Sequence, residues 1–97
     1  MANAKKTPQY VLRLYVAGTT PASTRAIASI KDVCETHLAG RYSLEVVDIY
    51  QQPQLARDEQ IVAVPTLIKK LPAPLRLLVG DMSNLERVLI GLDLKKR

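Results

Sequence analysis

The chain has 97 residues, of which 47% are apolar and 24% charged, and its formal net charge is +5. A chain of this length buries one modest core, and this composition is close to the globular average, which excludes a disordered or collagen-like chain. We therefore expect a single domain over residues 1–97, with flexible ends at 1–8 and 95–97. Its core must come from aliphatic side chains, because the chain has no Trp or Phe.

The positive charge is spread along the chain in the short groups "AKKT", "IKKL" and "KKR". This spacing is typical of a solvated surface, and no nucleic-acid-binding motif accompanies it. No apolar run approaches the roughly 18 residues that span a bilayer, and the first residues lack the features of a signal peptide. We expect a cytoplasmic protein that binds neither nucleic acid nor a membrane.

The first half of the chain predicts a strand, a helix and a second strand. "YVLRLYVAG", residues 10–18, is rich in β-branched and aromatic residues and predicts a strand buried on both faces. Thr20 can cap a helix that begins at Pro21. An apolar stripe then recurs at spacings of three and four as far as Gly40: Ile27, Ile30, Cys34 and Leu38. "YSLEVVDIY", residues 42–50, completes a βαβ unit with parallel strands.

The second half supports two assignments. In one, "PQLARDEQI" is a short helix, "TLIKKL" and "LRLLVG" form a hairpin, and "SNLERVLIGL" is a final helix with Ser83 and Glu86 at capping-box spacing. This gives βαβαββα, the thioredoxin order. In the other, "VLIGLDL" is a strand, because it is rich in β-branched residues and Leu, and a helix runs from Pro65 to just before Pro72.

The residues that would carry redox, hydrolytic or metal chemistry are missing. A thioredoxin-like enzyme holds its attacking thiolate between the first strand and the first helix, where the helix dipole lowers the thiol pKa. That place contains "AGTTPAS", while the single cysteine, Cys34, lies in the helix and is expected to be a small buried hydrophobe. His37 is expected on the surface near the helix C-terminus. We predict no catalytic residues, no metal site and no cofactor.

Three segments carry a family resemblance: "YVLRLYVAGTTPAST", "PQLARDEQIVAVPTLIKKLPAPLRLLVGDMSN" and "ERVLIGLDL". They are similar to KaiB, the small component of the cyanobacterial circadian clock, over residues 10–94. The family also includes non-circadian bacterial proteins and a sensor-domain relative in a clock-linked histidine kinase.

The resemblance implies a protein without enzymatic activity that binds the ring of a KaiC-type, RecA-like ATPase. It also implies a metamorphic fold, in which a resting homo-oligomer, a dimer or tetramer, coexists with a rarer thioredoxin-like monomer that docks on the ring. Two packings of one sequence coexist when they differ by a few kcal/mol, and a partner that binds one of them shifts the population. This would explain why the second half supports two assignments.

The resemblance also implies individual site residues. Those expected to bind the ATPase are Arg25, Pro53, Gln54, Leu55 and Ala56. Gly91 and Asp93 match the family positions that balance the two folds. Because glycine costs about 1 kcal/mol inside a helix, we expect Gly91→Ala to favour the thioredoxin-like form.

Two positions depart from the clock members of the family. Gln60 stands where they have a lysine, and Glu45 replaces a lysine on a face linked to the third clock component, KaiA. A reversed charge weakens binding to a partner selected for the other sign. These departures favour a regulator of a KaiC-like ATPase in stress adaptation or signalling over a full circadian oscillator.

Two other functions stay open at this point. A thioredoxin-like adaptor for a histidine kinase would use the same platform without an ATPase. A glutathione-binding enzyme would use the backbone at Val64-Pro65, although the chain lacks the thiol and the helical second domain of such enzymes.

Overall fold

The computed structural model describes residues 9–95 as one mixed sheet with helices on both of its faces. The elements, in chain order, are β1 (Tyr10–Val16), α1 (Pro21–His37), β2 (Tyr42–Asp48), α2 (Pro53–Asp58), β3 (Thr66–Leu71), β4 (Arg76–Val79) and α3 (Leu85–Gly91). The strand order is β2-β1-β3-β4. β1 is parallel to β2 and antiparallel to β3, and β4 is antiparallel to β3. The predicted thioredoxin order is confirmed.

The βαβ unit forms as the sequence predicts. The Thr20 hydroxyl accepts a hydrogen bond from the Ser23 N–H at 3.3 Å, and Pro21 occupies the first helical position. Both strands end earlier than predicted, at Val16 and Asp48 rather than at residues 18 and 50. Gly18 has a φ of +58°, a left-handed conformation that turns the chain out of β1.

The second half adopts the first of its two predicted assignments. β3 has the predicted bounds, and the "VLIG" segment lies in α3 rather than in a strand. The β3 segment forms a strand because Leu67 and Ile68 are both buried, on opposite faces of the sheet. The Val64-Pro65, Leu71-Pro72 and Ala73-Pro74 bonds are cis.

The start of α3 corrects the predicted capping box. The cap is Asn84, whose side-chain oxygen accepts a hydrogen bond from the Arg87 N–H at 3.1 Å. The Ser83 hydroxyl instead donates to the Asp81 carboxylate at 2.9 Å. The Ser83 hydroxyl that a capping box would use is therefore hydrogen-bonded to Asp81, and the helix begins at Leu85.

Two cores lie on opposite faces of the sheet. The larger core packs α1 and α3 against one face, and its buried residues are Leu12, Leu14, Val16, Ala26, Ile30, Val33, Cys34, Leu38, Leu67, Met82, Val88 and Leu92. The smaller core, under α2, has three buried residues: Tyr15, Val47 and Ile68. β2 is the more exposed neighbour of β1, and α2 covers only part of its face.

Within residues 9–95, no helix is both long enough and apolar enough to cross a membrane. The ends predicted to be flexible lie outside the described residues, apart from Lys95. The ammonium group of Lys95 lies 3.2 Å from the Glu86 carboxylate.

Candidate partner-binding site

The loop between β1 and α1 uses its hydroxyl groups for structure. The buried Ser23 hydroxyl accepts a hydrogen bond from the Ala17 N–H at 3.0 Å and lies 2.9 Å from the Thr20 hydroxyl. Cys34 is fully buried, and its burial and the charge of Glu35 raise the pKa of its thiol to about 11. This thiol in α1 is therefore neutral at physiological pH, and the loop between β1 and α1 has no cysteine of its own.

Helix α2 contains four of the predicted binding residues and divides them between two environments. Leu55 and Ala56 are partly buried against the smaller core, whereas Pro53 and Gln54 are exposed. The Gln54 side chain lies 2.8 Å from the Asp58 carboxylate and 3.0 Å from the Arg57 guanidinium, along the outer side of the helix. The face available to a partner therefore consists of polar side chains beside Pro53.

An ionic network fastens α2 to the sheet, and we call it the Glu59 network. Its members are Glu59, Arg13, Tyr15, Glu45 and Lys70. The Glu59 carboxylate lies 3.0 Å from the Arg13 guanidinium and 2.8 Å from the Lys70 ammonium, and it accepts a hydrogen bond from the buried Tyr15 hydroxyl. That hydroxyl also lies 3.2 Å from the Leu55 carbonyl oxygen. One carboxylate at the end of α2 therefore binds two strands at once.

The protonation equilibria of the network follow from its geometry. Burial acts to raise the pKa of Glu59, but hydrogen bonds from Lys70, Tyr15 and Arg13 outweigh it and hold that pKa below its ordinary value. Burial, with the hydrogen bond to Glu59, raises the pKa of Tyr15. The network is thus a neutral tyrosine and an ionised carboxylate held by two cations.

This network joins residues that are far apart in the sequence, and no local pattern predicts its contacts. Arg13 and Tyr15 are two positions apart in β1, so their side chains share the face of the sheet that α2 covers. The sequence signal is a charged residue two positions from each small-core residue, on the same face of the strand. The pairs are Arg13 and Tyr15 in β1, Glu45 and Val47 in β2, and Lys70 and Ile68 in β3. The departure noted at Glu45 is also explained, because Arg13 lies 2.8 Å from this carboxylate and neutralises it.

Arg25 lies on α1, in the layer on the opposite face of the sheet from α2. Its guanidinium pairs with the Asp81 carboxylate at 3.2 Å. Hydrogen bonds from Ser83, followed by the contact with Arg25, hold the pKa of Asp81 below its ordinary value. Within residues 9–95, no hydrogen bond or ion pair joins Arg25 to the segment 53–56. The predicted residues therefore lie in two separate places on the thioredoxin-like fold.

The two predicted fold-switch positions meet the ends of the hairpin. An added Cβ at Gly91 would lie 2.7 Å from the Leu78 side chain, so α3 packs closely on β4 at this point. Asp93 has a φ of +61°, and its carboxylate binds the fully buried Lys69 ammonium and lies 3.3 Å from Arg76. Hydrogen bonds from Lys69 and then Arg76 hold the pKa of Asp93 below its ordinary value. Both positions thus join the final helix to the β3–β4 hairpin.

The fold and these sites define a class of protein, a thioredoxin-like domain in which the described residues supply no activated thiol. The family follows from comparison: the KaiB domain model matches residues 13–94, and the chain belongs to the KaiB family. A relative named circadian clock oscillator protein KaiB, from Nostoc punctiforme, is 54% identical over 94 residues, covering 97% of this chain and 88% of the relative. Another of the same name, from Picosynechococcus, is 56% identical over 90 residues, covering 93% and 85%.

Solved structures agree with this fold. The N-terminal domain of SasA from Synechococcus elongatus matches with a TM-score of 0.70 and 23% identity, covering 100% of this chain and 95% of that domain. Mitochondrial thioredoxin 3 from Saccharomyces cerevisiae matches with a TM-score of 0.73 and 13% identity, covering 93% and 82%. At these identities the likeness concerns the fold, and the predicted fold class is confirmed.

Proposed function

We propose that this chain is a non-enzymatic regulator that binds the ring of a KaiC-like ATPase and modulates its activity or signalling output. The observation that carries the proposal is the match to relatives named as clock oscillator proteins, at 54% identity over 97% of the chain. The described loop between β1 and α1 has no activated thiol. This agrees with a binding role, because without that thiol the same platform would act on a partner by contact alone. The proposed site of action is the cytoplasm.

The proposed ATPase surface has two parts. Pro53 and Gln54 would contact the partner directly, while Leu55 and Ala56 anchor their helix on the smaller core. Arg25 would supply a cation from the other layer. Because Arg25 is exposed and paired only with a surface carboxylate among the described residues, exchanging that partner for one on the ATPase would have a low energetic cost.

We also propose that the chain switches between this thioredoxin-like form and a resting homo-oligomer, with Gly91 and Asp93 setting the balance. The contacts of these two residues with Leu78 and Lys69 support this proposal, because both contacts depend on the relative placement of α3 and the hairpin. A different packing of the second half would break both contacts. Binding of one form by a partner would then shift the population toward it.

The central test is size-exclusion chromatography with light scattering on the purified chain, alone and after hours of incubation with a KaiC-type ATPase and ATP. We expect a small oligomer alone, and its slow transfer into the peak of the ATPase ring. If the chain never co-migrates, even as Gly91→Ala, the ATPase proposal fails. The histidine-kinase adaptor of the sequence analysis would then be the hypothesis to test, by the same assay with the kinase sensor domain.

Charge reversal locates the surface. Arg25→Glu should weaken co-migration, whereas Lys31→Glu, an exposed cation on the same helix, should not. Asp81→Ala is the second control, since it breaks the same ion pair but leaves the Arg25 cation available. If Asp81→Ala weakens binding as much as Arg25→Glu does, then the ion pair has a structural role and Arg25 does not contact the partner.

A further inference from the structure

The outer edge of β4 has backbone groups that no other strand within residues 9–95 satisfies. The Gly80 N–H donates to the Pro65 carbonyl at 3.0 Å, so Gly80 and Pro65 are a hydrogen-bonded pair of the antiparallel ladder. Hydrogen-bonded and non-hydrogen-bonded pairs alternate, so in this register Leu77 and Val79 belong to non-hydrogen-bonded pairs. Their N–H and C=O groups therefore point away from β3, toward the free edge of the sheet.

The same two residues present apolar side chains on the α2 face of the sheet. Leu77 is opposite Ile68, a residue of the smaller core, yet it is 58% exposed, and Val79 is 59% exposed. Leu75, just before the strand, is 61% exposed. Exposed apolar side chains beside unpaired backbone groups are what natural sheet edges usually avoid, unless another strand covers them.

The other face of β4 borders a groove of about 730 Å³ between the strand and α3. Leu78, Met82, Val88 and Gly91 are among its lining residues, and so is Arg87. Arg87 is exposed, and within residues 9–95 its guanidinium forms no ion pair. The groove also contains one acid, Asp81, but Arg25 neutralises it at 3.2 Å. The groove therefore has an uncompensated positive charge.

We propose that the β4 edge binds an extended segment of a partner protein in which apolar and acidic residues alternate. Such a segment would add a fifth strand, and its backbone would pair with the groups of Leu77 and Val79. Alternate side chains of a strand point to opposite faces. One set would cover Leu77 and Val79, and the other would enter the groove, where an acidic residue pairs with Arg87.

Charge complementarity selects this occupant over a second copy of the chain. At this edge a second copy would bring another Arg87, which has no ion pair within residues 9–95, so local electrostatic repulsion opposes it. An acidic strand would instead be attracted to the positive charge of Arg87. This surface lies apart from α2 and belongs to the thioredoxin-like form. Its test requires no ATPase, so its failure is distinguishable from a failure to bind the ATPase.

The test uses synthetic peptides of about six residues, the usual length of a strand, with blocked ends and a fluorescent label. One peptide alternates Val and Glu, and the control alternates Val and Lys. Fluorescence anisotropy measures binding to the full chain, and NMR shifts of the amides locate it. We expect tighter binding of the Val-Glu peptide, with the largest shifts at residues 76–80. Arg87→Glu should weaken that peptide about fivefold and improve the Val-Lys peptide by a similar factor.

Two further variants define the contact. Arg57→Glu, which makes the same charge change on α2, should leave both affinities nearly unchanged. Val79→Pro removes an edge N–H without removing a ladder bond and should abolish binding of the Val-Glu peptide. If this variant does not fold, Arg87→Glu and Arg57→Glu alone decide the question.

The proposal is overturned by equal binding of the two peptides, by equal effects of Arg87→Glu and Arg57→Glu, or by shifts that map outside β4 and α3. Light scattering at the assay concentrations is the last check. If the chain dimerises and Leu77→Lys abolishes the dimer, a second copy occupies the edge and the proposal is wrong.

Discussion

The two faces of the sheet are held by different physical forces. On the α1 and α3 face, twelve buried residues form one apolar core. On the α2 face, the described residues include three buried core residues, and the Glu59 network supplies the rest of the attachment. Apolar burial responds little to pH or salt, whereas hydrogen-bonded ion pairs respond to both. The α2 face, which contains the proposed binding segment, therefore depends more on ion pairs than the α1 and α3 face, where the Lys69–Asp93 pair adds to a large apolar core.

The largest expected effect is a cavity in the larger core. Leu14 is fully buried in β1, and Leu14→Ala should lower the free energy of unfolding by about 2–5 kcal/mol. The measurement is urea denaturation followed by circular dichroism. Val46→Ala is the matched control, because Val46 pairs with Leu14 across the sheet but is 37% exposed. Equal losses for both would contradict the deeper burial of Leu14.

Loss of the central carboxylate should have a smaller and more local effect. Glu59→Gln leaves the Arg13 and Lys70 cations without their shared partner, and should lower the free energy of unfolding by about 1–3 kcal/mol. Hydrogen exchange should accelerate mainly in residues 53–59, because these are the residues that the network fastens. Glu86→Gln, which removes an exposed acid from α3, should change stability by less than about 0.5 kcal/mol. Faster exchange throughout the sheet would show that Glu59 supports the whole fold.

Gly91 tests the contact between α3 and β4. Helix propensity alone favours Gly91→Ala, but the new methyl group would lie 2.7 Å from the Leu78 side chain. We therefore predict that Gly91→Ala stabilises the thioredoxin-like form more in a Leu78→Ala background than in the unchanged chain. The coupling in a double-mutant cycle should be about 1 kcal/mol. A coupling of zero would mean that Leu78 rotates away without cost.

The predictable features were those fixed by neighbouring residues. The stripe from Ile27 to Leu38 predicts α1, and Thr20 with Pro21 predicts its start, because these signals lie within a few turns of each other. The alternative assignments of the second half arose because residues such as Leu67 and Ile68 suit either period, and only burial on both faces selects a strand.

The features that escaped prediction depend on distant contacts. The choice of Asn84 over Ser83 as the cap follows from the hydrogen bond that Ser83 donates to Asp81. In the Glu59 network, Glu59 contacts Tyr15 and Arg13, which precede it by 44 and 46 positions. Local sequence patterns do not report contacts at such separations. α2 is also too short to assign an inner face from periodicity, so resemblance identified Leu55 and Ala56 without indicating that they are partly buried.

The same carboxylate predicts a pH dependence of stability, which the difference between the unchanged chain and Glu59→Gln isolates. The folded-state pKa of Glu59 is below its unfolded value, so its contribution to stability is present above the unfolded value, about 4.3, and is lost as the pH falls through the folded value. Thermal unfolding of the unchanged chain and of Glu59→Gln should therefore differ at pH 6 and converge progressively below about pH 4. Asp93 and Asp81, whose pKa values are also lowered, remain in both chains and cancel in the difference. A gap between the two curves that persists at low pH would mean that Glu59 stabilises α2 by packing rather than by charge.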